Sequence, residues 1–207
     1  LKRVLKPGGV IVWVVADATK DGSETGSSME QALHFKRLGL NLLDTMIWNK
    51  PPAGANGNND AYPQSAEYMF VLVNGKPRIS NRLADRPNTG WGRKFDKTTG
   101  GRNTKHGAEK SGEVGVCGEF GLRTNVWNVI KESSGNEHPA PFPLDLARDH
   151  VATWSNPGDL VLDPFSGSGT TAKAAKELGR RFLGLEINPE YCAIAERRIA
   201  QQVLELE

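Results

Sequence analysis

The sequence predicts an α/β fold, in which a mostly parallel sheet is sandwiched by helices and carries a loop-rich insert. Three observations lead to this prediction. Apolar runs typical of strands alternate with segments of helical periodicity. A glycine-rich turn joins the apolar run at 159–163 to a helical segment at 170–178. From residue 76 to 123 the chain is rich in Gly, Asn and Thr and lacks apolar periodicity.

The first part of the chain contributes three strands and one helix. Residues 10–16 form a continuous apolar run, which predicts a strand buried on both faces. Residues 29–38 have near-helical apolar spacing. The β-rich runs at 42–48 and 68–73 are joined by a polar loop, so we expect them to pair antiparallel at the sheet edge.

The last part of the chain alternates helices and strands. Helices are expected at 144–153, 170–178 and 189–203. Pro189 suits the first turn of the last helix, and Asn188 suits its cap. A buried strand at 159–163 precedes the glycine-rich turn.

That turn is the most informative segment. It reads Asp163-Pro164-Phe165-Ser166-Gly167-Ser168-Gly169-Thr170-Thr171, and the next strand ends at Glu186, 21 residues after Phe165. Glycines let backbone approach a ligand closely, and an acid about 20 residues further on accepts both ribose hydroxyls. The pattern predicts an adenosine-binding unit with Glu186 as the ribose acceptor.

The kind of cofactor is decided by the residue that opens the turn. On spacing alone, the segment from Gly167 to Ala172 also fits the G-x-G-x-x-A pattern of NAD sites. The Asp163 carboxylate would repel a pyrophosphate and attract a cation. S-adenosylmethionine has no phosphate and carries a sulfonium and an ammonium. A turn that only tightens strand–helix packing is the structural alternative.

The chain resembles a known family at these residues. The turn, together with Gly184-Leu185-Glu186-Ile187-Asn188-Pro189, resembles the cofactor end of amino-group DNA methyltransferases, which methylate adenine N6 or cytosine N4. The segment His138-Pro139-Ala140-Pro141-Phe142-Pro143 resembles the part that closes over the methionine of the cofactor. The order of the motifs is similar to that of the permuted beta group, because the cofactor motif comes last.

The resemblance implies a permuted, Rossmann-like methyltransferase sheet. Residues 1–75 would be the C-terminal part of the catalytic half, 76–135 a DNA target-recognition insert and 136–207 the S-adenosylmethionine-binding half. The cofactor-binding residues it implies share the turn, the strand end and the lid: Asp163, Phe165, Ser166, Gly167, Gly169, Thr170, Thr171, Glu186, His138, Pro139 and Phe142. Thr170 and Thr171 could instead cap the following helix.

The family's catalytic loop does not occur in these residues. That loop reads Asp/Asn/Ser-Pro-Pro-aromatic and holds the amine of an extruded base. The only Pro-Pro pair here lies in Lys50-Pro51-Pro52-Ala53. We therefore assign no catalytic residue and expect a truncated chain that transfers no methyl group by itself. The strand that carries the loop would also be missing, so we expect a gap in the sheet that makes the chain marginally stable.

The insert is basic. Residues 76–123 hold eleven Lys or Arg against five Asp or Glu, in a chain whose net charge is +2. Basic side chains on a polar loop neutralise phosphates, and the candidates for contacting double-stranded DNA are Arg82, Arg86, Arg93, Lys94, Lys97, Arg102 and Lys105. A solvated loop without a partner is the alternative. A catalytically empty DNA-binding or cofactor-binding relic also stays open.

Composition sets the outer limits. The 207 residues are 38% apolar and 24% charged, as in ordinary globular proteins. No apolar run is long enough for a membrane span. Two isolated cysteines indicate neither a metal site nor a disulfide framework, so we expect a cytoplasmic protein. A homodimer is compatible with the sequence. A restriction endonuclease partner, the target base and the recognised DNA sequence are not readable from it.

Overall fold

The computed structural model describes residues 1–50, 62, 64–96, 114–129 and 142–200. The chain forms two compact units, one of Leu1–Asn81 with Asn125–Glu207 and one of Arg82–Thr124. In chain order the elements are β1 (Val10–Val15), β2 (Thr19–Lys20), β3 (Ser23–Glu24), α1 (Ser27–Arg37), β4 (Asn41–Asn49), β5 (Ala66–Val73), β6 (Arg86–Pro87), β7 (Lys94–Asp96), β8 (Val114–Val116), β9 (Phe120–Gly121), β10 (Val126–Asn128), α2 (Leu144–Trp154), β11 (Leu160–Asp163), α3 (Thr170–Glu177), β12 (Arg181–Gly184) and α4 (Pro189–Ala200).

The larger sheet has the strand order β1-β5-β4-β10. β5 is antiparallel to β1 and to β4, and β10 is parallel to β4. The antiparallel pairing predicted for 42–48 and 68–73 is confirmed, with Ile47 opposite Tyr68. Its predicted place at the sheet edge is wrong, because β1 adds to β5 and β10 adds to β4.

A second sheet carries the glycine-rich turn. β11 and β12 pair in parallel, with Asp163 opposite Gly184, and α3 connects them. The α/β class is therefore confirmed, and the sheet pairing is mixed. Within the described residues, β1 and β11 each lie at the end of their own sheet.

The most deeply buried strand of the larger sheet is β5. Its residues Met69–Val73 are at most 1% exposed, and Phe70 and Leu72 pack with Ala32 of α1. The strands that the sequence predicted as buried are less so. All of β1 is half-buried, and Leu160 and Leu162 of β11 are exposed. An apolar run shows that a strand can be buried, but the strand is buried only where other elements pack on both of its faces.

Side chains at helix starts show why two helices begin where they do. The Asn188 side chain accepts from the Glu190 amide at 2.9 Å, so its predicted capping of α4 is confirmed. α1 is capped from a distance, because Asp17 accepts the Ser28 amide at 3.0 Å and the hydroxyls of Ser27 and Ser28. These bonds lower the pKa of Asp17, and the bond from the Ser28 hydroxyl has the largest effect.

The second unit consists of short antiparallel pairs. β6 pairs with β9, and β7 pairs with β8, with Phe95 opposite Gly115. Arg123 forms an ion pair with Asp85 and lowers the pKa of that carboxyl, chiefly by hydrogen bonding.

Candidate functional site

The backbone of the turn after β11 is bonded to the end of β12. Leu185 N donates to Asp163 O at 2.9 Å, and Ser166 N donates to Leu185 O at 3.0 Å. Gly167 and Gly169 have φ values of 50° and 79°, in the left-handed region that favours glycine. The turn therefore extends the parallel pairing past the strand ends and brings Gly167 to Glu186.

The Glu186 carboxylate is held by two backbone amides. Gly167 N donates to Oε2 at 2.8 Å, and Asn188 N donates to Oε1 at 2.9 Å. The residue is half-buried. These two bonds orient the carboxylate toward the turn. Glu186 thus lies where the sequence predicts a ribose acceptor.

Asp163 is oriented within the same turn. Its Oδ1 accepts from Phe165 N at 3.0 Å, and its Oδ2 accepts from the Thr171 hydroxyl at 2.6 Å. Both donors are uncharged, so they fix the carboxylate without neutralising it. The N-cap of α3 is Gly169, so the alternative that Thr170 or Thr171 caps this helix is wrong.

Helix α4 supports the turn from behind. A Cβ added at Gly169 would come within 2.8 Å of the Ala195 Cβ. Arg198 donates to Ser168 O at 2.7 Å and to Ser168 Oγ at 2.8 Å, and Ser168 and Thr170 are buried. Gly169 therefore packs against α4, and Thr170 is buried beside it.

Two apolar side chains next to the acids are strongly exposed. Phe165 is 74% exposed, and its ring meets the Trp13 ring edge-on at 6.1 Å. Ile187, directly after Glu186, is 98% exposed. Sequence reasoning missed Ile187. The signal was an isoleucine directly after a strand-end acid, where a solvated polar residue is the ordinary choice.

Of the remaining predicted cofactor residues, the structure describes Ser166 and Phe142. Ser166 lies close to Gly184, where an added Cβ would come within 2.6 Å of its Oγ. Phe142 packs against the cluster of Ala147, Val151 and Ala174. His138 and Pro139 lie outside the described residues. Of the three predicted lid residues only Phe142 is described, and it packs against the core cluster.

The predicted DNA-contacting residues that are described lie in the second unit. Arg82, Arg86, Arg93 and Lys94 are exposed there. Arg86 Nε donates to Leu122 O at 3.0 Å. Lys97, Arg102 and Lys105 lie outside the described residues.

Comparisons with known proteins show the family of the chain. Residues 1–197 match the N6_N4_Mtase family model, described as DNA methylase. The chain is 46% identical over 214 residues to the orphan methyltransferase M.BamHII of Bacillus amyloliquefaciens, covering 99% of this chain and 79% of that protein. It is 32% identical over 161 residues to the type II methyltransferase M.Cfr9I of Citrobacter freundii, covering 78% of this chain and 45% of that protein.

A solved structure gives the same result. TTHA0409 of Thermus thermophilus, in complex with S-adenosyl-L-methionine, has a TM-score of 0.62 and 27% identity, covering 99% of this chain and 74% of that one. The fold is thus that of the Rossmann-like methyltransferases. The chain belongs to the N6/N4 DNA methylase family.

Family membership confirms the resemblance seen in the sequence. The family depends on S-adenosylmethionine, as predicted, and the oxidoreductase alternative is not supported. In the described part of the chain, no helix has the length and apolar character needed to cross a bilayer.

Proposed function

We propose that the turn after β11 and the end of β12 bind S-adenosylmethionine for methylation of adenine N6 or cytosine N4 in double-stranded DNA. One observation supports this most strongly: the amides of Gly167 and Asn188 orient the Glu186 carboxylate beside the glycine turn. An acid oriented in this way beside a glycine turn suits the hydroxyls of a ribose.

The neighbouring side chains suit the rest of this cofactor. Exposed Phe165 and Ile187 offer apolar contacts for an adenine. Asp163 supplies negative charge for a sulfonium or an ammonium, and would oppose a diphosphate.

The bound cofactor supplies the methyl group, and this chain's residues orient it. In the proposed reaction the amine nitrogen of an extruded base attacks the methyl carbon in line with the sulfur. The C–N bond forms as the S–C bond breaks, and the amine releases a proton.

A polypeptide of these 207 residues is expected to transfer no methyl by itself. Lys50 and Ala53 flank its one Pro-Pro pair, so the pair lacks both the oxygen-bearing side chain and the aromatic ring that hold an amine. Assays with labelled S-adenosylmethionine and DNA should give binding without turnover. Turnover would show that other residues perform this step.

We propose that the second unit contacts DNA phosphates through exposed Arg82, Arg86, Arg93 and Lys94. Lys97, Arg102 and Lys105 remain predicted contacts. A cytoplasmic location remains the expectation, and homodimer formation remains a hypothesis.

The proposed cofactor charge is tested with Asp163→Asn. This variant keeps the shape of the group and removes its charge. S-adenosylhomocysteine lacks the sulfonium, so the loss of affinity should be greater for S-adenosylmethionine by roughly tenfold, which corresponds to about 1.4 kcal/mol. Asp145→Asn, at an exposed position of α2, is the control. Equal losses for the two ligands would assign the charge of Asp163 to the ammonium, which both ligands carry, and no loss for either ligand would show that Asp163 does not contact the cofactor.

A further inference from the structure

Trp91 is the most exposed large apolar side chain among the described residues of the second unit, at 68%. An indole buries a large apolar area when it finds a partner, and exposing it to water is unfavourable. A large exposed indole is a candidate contact for a partner molecule.

The loop that carries Trp91 is anchored on both sides. Trp91 N donates to Asn88 O at 3.2 Å, and Gly92 N donates to Cys117 O at 2.9 Å. Arg93 N donates to Gly90 O at 3.0 Å. Gly92, at φ 77°, provides the left-handed backbone that the turn requires.

A neighbouring side chain fixes the start of this loop. Asn88 Nδ2 donates to Gly118 O at 3.0 Å, and Asn88 N donates to Glu119 O at 2.8 Å. A ring presented on an anchored loop loses little conformational freedom when it binds, which favours affinity.

The charges beside the ring identify the partner. Arg93 and Lys94 directly follow this loop and are exposed, and Arg86 is exposed on β6. A protein partner would have to bury or pair these cations next to the indole. In duplex DNA a base face becomes accessible where a base step is unstacked, and phosphates flank that step, so one ligand satisfies both the ring and the cations.

We propose that Trp91 stacks on a nucleobase at an unstacked step of the DNA substrate while Arg93 and Lys94 contact the adjacent phosphates. This inference rests on the proposed DNA-binding role of the second unit. Stacking on an aromatic ring tolerates any base, because every base has a π face. Trp91 therefore contributes affinity that does not depend on salt, whereas the two cations contribute affinity that does.

The experiment compares Trp91→Ala, Trp91→Phe and Arg93→Ala by fluorescence anisotropy with a mixed-sequence 40-base-pair duplex at several salt concentrations. Trp91→Ala should weaken binding roughly 5- to 100-fold with an unchanged salt slope. Trp91→Phe should recover most of that loss. Arg93→Ala should lower the salt slope by about one.

Two further measurements exclude a folding defect. All three variants should bind S-adenosylhomocysteine as the parent protein does, since that site lies in the first unit. DNA should quench tryptophan emission in the parent, and Trp91→Ala should lose most of that quenching.

The outcomes separate the two proposals. If Arg93→Ala changes the salt slope while Trp91→Ala leaves affinity and quenching unaltered, the stacking inference is wrong and the DNA-binding role stands. If Trp91→Ala instead abolishes self-association and leaves DNA affinity unchanged, the ring contacts a second copy, which also overturns stacking. If the parent protein does not bind the duplex at any salt concentration, both proposals fail.

Discussion

The Gly167 amide donates to the Glu186 carboxylate at 2.8 Å, and so connects the glycine turn to the end of the neighbouring strand. This bond gives Gly167 a role beyond its backbone freedom, because its N–H orients the acid. The second bond, from Asn188 N at 2.9 Å, leaves the carboxylate little freedom to rotate. An acceptor that is already oriented binds hydroxyl groups without a further loss of entropy.

Glu186→Gln should weaken binding of S-adenosylhomocysteine by roughly 10- to 100-fold. Hydrogen bonds to a charged acceptor contribute about 1.5–3 kcal/mol, and the new amide can place a donor against a backbone N–H. Isothermal titration calorimetry measures the change. Glu190→Gln, an exposed position at the start of α4, is the matched control and should bind as the parent does. Parent-like affinity in Glu186→Gln would contradict the assigned role.

Gly169→Ala should destabilise the protein more than Gly158→Ala. Both glycines have positive φ, 79° and 83°, so each substitution carries a backbone penalty of about 1–2 kcal/mol. Only at Gly169 would the added methyl group meet another atom closely, the Ala195 Cβ at 2.8 Å, whereas nothing lies within 4 Å at Gly158. We expect at least about 1 kcal/mol more loss at Gly169. Urea unfolding of both variants tests this, and equal losses would contradict the packing of α4 on the turn.

Asp17→Ala should destabilise the protein by about 0.5–2 kcal/mol, since α1 loses its capping carboxylate. The pKa of Asp17 is lowered in the folded protein. Its contribution is therefore fully present above about pH 4, the range of a free aspartate, and is lost as the pH falls through the lowered pKa. The difference in stability between parent and variant should narrow below that range. Chemical unfolding from pH 3 to 7 measures it, and a difference that widened on acidification would contradict the sign.

One face of the β11–β12 sheet should make the 207-residue chain prone to association. Leu162 lies opposite Leu183, and they are 36% and 51% exposed, next to Leu160 at 54%. Exposed apolar patches favour aggregation. Leu162→Lys combined with Leu183→Lys should lower light scattering, and should lower the binding of a dye that detects exposed apolar surface. The affinity for S-adenosylhomocysteine should stay the same.

The control for that variant is Val161→Lys. Val161 packs against the cluster of Ala147, Val151 and Ala174, so a charge there should destabilise the fold instead of improving solubility. Scattering that stayed the same in the double Lys variant would show that this face does not drive association.

Local signals in the sequence predicted the parts of the site that depend on local chemistry. The position of Glu186 beside the turn follows from the fixed lengths of strand, turn and helix, and the Asn188 cap needs only its own helix. The roles of Gly169 and Arg198 were not predicted, because they depend on α4, which packs on the turn from 20 or more residues away in the chain. The sequence also did not predict that β1 and β11 are incompletely buried, since burial depends on neighbouring elements that an apolar run does not specify.

Calorimetry with two ligands tests the central claim, that the turn after β11 and the end of β12 bind the adenosine of a sulfonium cofactor and not a dinucleotide. Titration of the protein with S-adenosylhomocysteine should give saturable binding at one site, and titration with NAD should give none in the same concentration range. Binding of NAD at that site, with no heat from S-adenosylhomocysteine, would contradict the account.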